Sequence, residues 1–134
     1  MKIFTVSTVL ALLTIAVLAS AQTDFENAVK CGKRFPRVNQ AIEKFCGKNK
    51  DGKITNDLVV PSKYAENGVV AVGLTGGDIW VNIKGTCLPA QWVPYNWCMA
   101  QFHALCAVSD IGYNNYNLHG KDNCQSFRIA ILKP

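Results

Sequence analysis

Six cysteines behind an apolar leader restrict the fold of this 134-residue chain more than any other feature of its sequence. Residues 3 to 18 are almost wholly apolar, and Ala19-Ser20-Ala21 then supplies the small side chains that a signal peptidase requires. We therefore predict a signal peptide over residues 1–21, cleaved before Gln22, and a secreted, extracellular protein. The apolar run is short compared with a bilayer span of about 20 residues, so we expect no membrane span.

All six cysteines lie in residues 22–134, a length that suits a single cysteine-rich domain. An even number of cysteines in an oxidising compartment predicts three disulfides, formed by Cys31, Cys46, Cys87, Cys98, Cys106 and Cys124. Cys98 and Cys106 cannot bond to each other, because two helical turns separate them by about 12 Å. We expect one of these two to bond to the N-terminal helix and the other to the C-terminal strand, and the pairing otherwise stays open.

Apolar residues recur at the helical spacing i, i+4, i+7 and i+8 in two segments. The first segment follows Pro36, a residue that suits the first position of a helix, and Gly47 is expected to end it. Its apolar face consists of Val38, Ile42, Phe45 and Cys46. The second segment covers residues 97–108, with Asn96 as the expected N-cap. Its apolar face consists of Cys98, Phe102, Leu105 and Cys106.

Residues 78–85 and 125–132 alternate between apolar and polar side chains, as half-buried strands do. Apolar runs at 58–60 and 69–74 predict two further strands, of which the first should be an edge strand because Pro61 follows it. The second run should form an antiparallel hairpin with residues 78–85. These elements predict an α+β fold: a small two-layer, disulfide-stapled domain with a mostly antiparallel sheet of about four strands packed by two helices.

Basic residues are concentrated in one part of the chain, where eight of the 14 lie between residues 30 and 53. They are Lys30, Lys33, Arg34, Arg37, Lys44, Lys48, Lys50 and Lys53. Such a run is typical of a solvated helix face, and the alternative is a contact surface for an anionic partner. Aromatic side chains scarcely interleave with these cations, which argues against a nucleic-acid partner.

The sequence contains no residue pattern characteristic of a metal or cofactor site. His103 and His119 have no partner at metal-ligand spacing, so we predict neither a metal ion nor a cofactor. Residues 48–54 resemble the middle of a calcium loop, but glycine and leucine fill the positions that need carboxylates. We therefore interpret Asp51-Gly52 as a turn.

A small secreted ribonuclease-like hydrolase is the enzymatic alternative. His103 or His119 could exchange protons with the substrate, with Glu66 as a second proton-transfer group and Arg128 as a phosphate clamp. No motif joins these residues, so we predict no catalytic residue and favour a binding protein over an enzyme.

Residues 87–97 and 110–123 show neither a strand nor a helix period and are interpreted as loops that flank the helix at 97–108. Both are rich in aromatic rings, which can lie under the C–H face of a sugar, and in polar groups that can bind its hydroxyls. The same composition also suits an exposed turn. Trp80, on the polar face of its strand, is another candidate platform, or else covers a neighbouring element. The predicted glycan-binding residues are Trp92, Tyr95, Asn96, Tyr113, Asn114, Asn115, Tyr116 and Asp122.

A more specific pattern runs from residue 87 to residue 131. It consists of Cys87 at the end of a strand, Trp97-Cys98, Phe102, Leu105-Cys106, a loop with Gly112 and Gly120, and Cys124-Gln125-Ser126-Phe127. In this pattern the chain resembles a family of small secreted fungal glycan-binding proteins, first known as mushroom lectins. The resemblance covers the C-terminal third of the chain, and the N-terminal half agrees in the order of its elements and in Cys46.

The resemblance implies an α+β fold, an extracellular location, glycan binding and no catalysis. Similar secreted proteins also occur as effectors of plant-infecting fungi. We therefore expect a non-catalytic recognition protein, lectin-like or effector-like, whose partner is a glycan or a host cell-surface or apoplastic molecule. The alternatives are the ribonuclease-like hydrolase and a toxin or effector that binds a host protein through its basic N-terminal region. A dimer is compatible with each of these functions.

Overall fold

The structure is a computed structural model, and the residues that it describes are 23–48, 53–72, 77–108 and 115–132. They form an α+β fold with four α-helices, a two-stranded and a four-stranded antiparallel sheet, and three disulfides. The predicted fold class is therefore confirmed. Outside the described residues lie the predicted signal peptide, Lys50, the Asp51-Gly52 turn, Tyr113 and Asn114.

Two helices that are separated by a single residue begin the described chain: α1 covers residues 23–34 and α2 covers Pro36–Gly47. The proline at the start of α2 and its predicted apolar face are both confirmed. Gly47 is the last helical residue, as expected. The left-handed conformation that closes the helix belongs to Lys48, whose amide donates to the Phe45 carbonyl oxygen.

Helix α4 covers Tyr95–Val108 and buries the apolar face that the sequence predicts. The prediction that Asn96 is its N-cap is wrong, because Asn96 lies inside the first turn. The Tyr95 amide instead donates to Oδ1 of Asn56 over 3.0 Å. A side chain distant in sequence thus satisfies one of the free amides at the helix start, and no local pattern reveals it.

The four-stranded sheet has the strand order β2-β3-β6-β5. Its central strands, β3 (Asp78–Gly85) and β6 (Gln125–Leu132), have the bounds that their alternation predicts. Strand β2 (Val69–Ala71) forms the expected antiparallel hairpin with β3. The alternation of apolar and polar residues predicts the bounds of both central strands, because these strands pair along their full length.

The interpretation of residues 87–97 and 110–123 as loops is wrong in several places, because α4 already begins at Tyr95, a 3-10 helix covers Lys121–Asn123, and two strands form as well. Strand β5 (Asn115–His119) pairs with β6 at the edge of the four-stranded sheet, and β4 (Gln91–Trp92) pairs with β1 (Val59–Val60) in the two-stranded sheet. Strand β4 is too short to show a period, and β5 is mostly polar because it is an edge strand with exposed side chains.

The core lies between the helices α2 and α4 and one face of the four-stranded sheet, here called the inner face. Phe102 of α4 lies between the two layers, with its ring centroid 5.6 Å from that of Phe45 in α2 and 4.9 Å from that of Phe127 in β6. All three rings are fully buried. The inner face itself carries Ile79, Val81, Ile83, Phe127 and Ile129.

The three disulfides are Cys31–Cys106, Cys46–Cys98 and Cys87–Cys124. Cys98 and Cys106 bond to separate elements, as predicted, and Cys98 bonds to Cys46 of α2, the N-terminal helix that the sequence predicts. Cys106 bonds to Cys31 of α1. The expectation that one of them reaches the C-terminal strand is wrong. Pairing of β3 with β6 brings Gly85 opposite Gln125, so the cysteines just beyond these two residues lie close enough to bond to each other.

The opposite face of the same sheet, here called the outer face, carries Trp80 and Asn82. A short helix, α3 (Lys63–Asn67), lies over one end of it. Nδ2 of Asn82 donates to the Glu66 carbonyl oxygen over 3.0 Å, and Nε1 of Trp80 donates to the Asn67 carbonyl oxygen over 2.8 Å. Asn82 is therefore fully buried, although the alternation predicts a solvent-facing position.

Candidate functional site

The predicted glycan-binding residues separate onto different surfaces. Asn115 and Tyr116 are neighbours on β5 and so point to opposite faces of the sheet. The remaining described members are Trp92 on β4, Tyr95 and Asn96 in the first turn of α4, and Asp122 in a 3-10 helix over Lys121–Asn123. Because α4 packs on the inner face, Tyr95 and the outer-face residue Tyr116 lie on opposite sides of the sheet.

Asn56 contacts two of the predicted residues, Trp92 and Tyr95. Its carbonyl oxygen accepts a hydrogen bond from Nε1 of Trp92 over 2.9 Å, and its side-chain oxygen accepts the Tyr95 amide. The Trp92 ring remains 55% exposed. One residue thus bonds to the Trp92 indole and to the Tyr95 backbone, and it leaves the Trp92 ring open to a ligand.

The segment that carries Asn56 is itself anchored to the end of α2. The Thr55 amide donates to the Gly47 carbonyl oxygen over 2.9 Å, and Nζ of Lys48 lies 3.0 Å from Oδ1 of Asp57. The Thr55 hydroxyl hydrogen bond and the nearby Lys48 ammonium lower the pKa of Asp57 below its ordinary value. Asp57 is therefore ionised at neutral pH and pairs with Lys48, and the Thr55 backbone hydrogen bond ties the segment to the end of α2.

An open cleft of about 360 Å³ lies between α2 and the start of α4. We call it the Tyr95 cleft, and its lining residues are Gln40, Glu43, Lys44, Ile54 and Tyr95. Tyr95 and Ile54 provide apolar surface. An amide, a carboxylate and an ammonium group face it from one helix, which together can donate and accept hydrogen bonds.

Four of these residues were missed as binding residues by the sequence reasoning, namely Ile54 and three residues of α2. Gln40, Glu43 and Lys44 stand at i, i+3 and i+4 on α2, so they share one side of the helix. That spacing is the available signal, but any solvated helix face shows it. What distinguishes these residues is the aromatic ring opposite them, which belongs to an element more than 50 positions later in the chain.

Asp122 lines a second cleft, of about 390 Å³, beside the Cys87–Cys124 disulfide. Backbone and small side chains form most of this cleft, together with Gln91 and Lys121. Asp122 itself has a positive φ of 55° in the 3-10 helix. No aromatic ring is among the described residues that line it, so these residues do not supply the flat apolar surface that a sugar ring needs.

Several residues of the basic run have partners within the fold. Nη1 of Arg34 donates to the Ala107 carbonyl oxygen over 3.0 Å, Nη1 of Arg37 donates to Oε1 of Gln40 over 3.2 Å, and Lys48 pairs with Asp57. These contacts join α1 to α4 and stabilise the surface of α2. They favour the interpretation of the run as a solvated helix face.

The two histidines are packed into the protein. Nε2 of His103 lies 2.8 Å from Oδ1 of Asn39 in α2, and the His119 ring packs edge-on against Phe127, 5.1 Å away, and Trp97, 6.1 Å away. Burial lowers the pKa of both imidazoles below the ordinary value of 6.5. For His103 the charges of Glu43 and Asp24 oppose this effect without cancelling it.

The residues of the hydrolase alternative do not converge. His119 lies on the inner face, whereas Arg128 lies on the outer face, with its guanidinium 5.7 Å from the centre of the Trp80 ring. Glu66 belongs to α3, also on the outer side. A histidine and these two charged groups would have to meet at one substrate, and the sheet separates them.

We expect the free energy of unfolding to fall as the pH drops from about 7 to about 5. The pKa values of both histidines are lower in the folded than in the unfolded protein, so the unfolded chain binds more protons. The stabilisation is complete above the unfolded pKa of 6.5 and is lost as the pH falls through it toward the folded pKa. Urea unfolding at a series of pH values measures this slope. His103→Gln should reduce it, and a curve that is flat over this range, or unchanged in the variant, contradicts the expectation.

Comparisons with protein-family models, with curated proteins and with solved structures find no match to this chain. In the part of the chain that the structure describes, no helix has the length and apolar character needed to cross a membrane. Nor do these residues contain a group of three or more His, Cys, Asp or Glu side chains able to hold a metal ion.

Proposed function

We propose that this protein is a secreted, non-catalytic recognition protein that binds a glycan in the Tyr95 cleft. The observation that carries the proposal is the placement of an aromatic ring opposite an amide, a carboxylate and an ammonium group in one open cleft of about 360 Å³. The family resemblance of residues 87–131 supports the same function. A glycan of a host cell surface or of the plant apoplast is the partner class that this resemblance implies.

The chemistry of a sugar matches this lining. The C–H face of a pyranose ring is apolar and packs on an aromatic ring, here Tyr95, with the exposed Trp92 ring nearby on β4. The hydroxyl groups at the rim of the sugar both donate and accept hydrogen bonds. Glu43 can accept them, Lys44 can donate them, and Gln40 can do both.

Binding without hydrolysis follows from the count of carboxylates. Glycoside hydrolysis needs two carboxyl groups on either side of the scissile bond, one as the acid and the other as the base or nucleophile. Among the residues that the structure describes, Glu43 is the only carboxylate that lines the Tyr95 cleft. A sugar held there would therefore be recognised and released unchanged.

A glycan array followed by calorimetry with the best ligand tests the proposal. We expect the wild type to bind, and Tyr95→Ala to weaken binding about tenfold or more, because it removes the stacking surface. Glu43→Gln should weaken binding by about tenfold, since it replaces a charge-assisted hydrogen bond with a neutral one.

Matched controls are present on the outer side of the sheet. Tyr116→Ala removes a tyrosine that is 57% exposed, and Glu66→Gln neutralises an exposed glutamate on α3. Both should bind the ligand like the wild type. If the folded wild type binds no glycan, or if Tyr116→Ala lowers the affinity as much as Tyr95→Ala, glycan recognition in this cleft is refuted.

A further inference from the structure

The Trp92 ring is exposed although the polar atom of its side chain already has a partner. Nε1 donates to the Asn56 carbonyl oxygen over 2.9 Å, and the side chain is 55% exposed. A ligand at this position therefore meets the apolar faces of a ring whose orientation is fixed by a hydrogen bond. Exposed tryptophan rings that are held in this way are typical of binding surfaces.

The two-stranded sheet extends this apolar surface. Val59 is the cross-strand partner of Trp92 and is 36% exposed, so the two side chains stand on the same side of the sheet. Their neighbours in the strands face the opposite side, where Val60 is fully buried and Oε1 of Gln91 accepts a hydrogen bond from Nε2 of Gln125. We call the exposed pair, Trp92 and Val59, the Trp92 surface.

The Trp92 surface is held close to the Tyr95 cleft. Two residues, Val93 and Pro94, separate Trp92 from Tyr95 in the chain. Val93 is buried, and its amide donates to the Leu58 carbonyl oxygen over 2.8 Å, which fixes the course of the chain between the two rings. The Cα atoms of Trp92 and Tyr95 are at most about 11 Å apart, because each residue spans at most about 3.6 Å.

A single sugar unit in the Tyr95 cleft leaves the Trp92 ring uncovered, since the described residues that line the cleft do not include Trp92. Residues 54–59 connect the two places: Ile54 lines the cleft, and Val59 belongs to the Trp92 surface. A second unit linked to the first can therefore reach the Trp92 ring along this segment.

Asn56 supplies a hydrogen-bond donor between the two aromatic residues. Its Oδ1 accepts the Tyr95 amide, and its carbonyl oxygen accepts the Trp92 indole. The first of these bonds fixes the orientation of the side-chain amide, because only the oxygen can accept from a backbone N–H group. Asn56 is exposed, so its Nδ2 can donate to a hydroxyl of a ligand.

We propose that this site takes a linear oligosaccharide, with one sugar unit in the Tyr95 cleft and the next unit on the Trp92 surface. This inference rests on the proposed function and adds the size of its ligand. The C–H faces of successive units pack on Tyr95 and on Trp92, and Nδ2 of Asn56 binds a hydroxyl near their junction. The second unit adds contact area at little entropic cost, because the Trp92 ring is already held in place.

A glycan array with linear series of glucose, mannose, xylose, galactose and N-acetylglucosamine, each from one to four units, tests the proposal. In the series that binds, we expect the affinity to rise about tenfold or more from the single sugar to the disaccharide. Calorimetry with these two ligands then measures the ratio of their dissociation constants. A single sugar that binds as tightly as its disaccharide overturns this inference and leaves the proposed function standing. Folded protein that binds no member of any series overturns both.

Trp92→Ala should bring the ratio of the two dissociation constants close to one, because it removes the ring that the second unit contacts. Partial unfolding cannot imitate this result, since it weakens the apparent binding of both ligands by the same factor. Trp97→Ala is the matched control: that tryptophan is 45% exposed, its ring packs on His119, and the variant should keep the wild-type ratio. An unchanged ratio in Trp92→Ala, or an equal fall in Trp97→Ala, overturns the proposal.

Asn56→Asp tests the donor by itself. Aspartate keeps an acceptor for the Tyr95 amide and is as good a helix cap as asparagine, but it replaces the Nδ2 donor with an oxygen. We expect this variant to bind the disaccharide about fivefold more weakly than the wild type. Wild-type affinity for the disaccharide in Asn56→Asp contradicts the placement of a hydroxyl at this amide.

Discussion

A variant in which Cys31 and Cys106 are both alanine is expected to lose about 4 kcal/mol of its free energy of unfolding. This disulfide joins residues 75 positions apart, the largest separation of the three. Breaking it releases the largest loop in the unfolded chain, and the released entropy stabilises the unfolded state. A domain of this size is stable by about 5 to 15 kcal/mol, so the variant should keep only part of its folded population on warming. Denaturant unfolding under non-reducing conditions measures the loss.

The other two disulfides provide the comparison. Their sequence separations are 52 for Cys46–Cys98 and 37 for Cys87–Cys124, so the expected losses decrease in that order. Alanine is preferable to serine in these variants, because most of the cysteines are buried and a hydroxyl there would have no assured partner. The chain-entropy explanation fails if the double-alanine variant of Cys87–Cys124 proves the least stable of the three.

The elements that sequence reasoning predicted well are those whose burial is one-sided and extends over several residues. Strands β3 and β6 have the predicted bounds because each alternates over eight residues between the inner and outer faces. Helix α2 repeats its apolar residues over the predicted length for the same reason.

The failures occur where a distant residue determines the local structure. Asn82 is buried because α3 lies over it, and α4 begins at Tyr95 because Asn56 accepts that amide. Strand β5 forms as a partner for β6, although its own residues show no strand period. In each case a contact between residues distant in the sequence determines the local structure, so local periodicity cannot predict it.

The candidate site also depends on contacts between distant residues that local sequence patterns cannot predict. Trp92 and Tyr95 were predicted from the aromatic content of one segment, and Asn56 contacts both residues. The polar side of the Tyr95 cleft comes from α2, a helix that the sequence assigned to the core through its other face. Composition can identify residues suited to a sugar, but the meeting of two elements creates the cleft.

Phe102→Ala is expected to lower the free energy of unfolding by about 4 kcal/mol. The ring is fully buried between Phe45 of α2 and Phe127 of β6, so its removal leaves a cavity at the contact between the helical layer and the sheet. Trp97→Ala on the same helix is the control, because that side chain is 45% exposed and should cost about 1 kcal/mol or less. Denaturant unfolding of both variants measures the difference.

The comparison of these two variants decides where the two layers are held together. If Phe102 joins them, its loss should weaken the helices and the sheet at once, and fluorescence and far-ultraviolet circular dichroism should report one common transition. Equal losses in Phe102→Ala and Trp97→Ala would place the essential packing elsewhere. The disulfides add to this argument, because Cys31–Cys106 and Cys46–Cys98 bond helices to helices. The contact of α4 with the sheet therefore depends on apolar packing, and Phe102 lies at its centre.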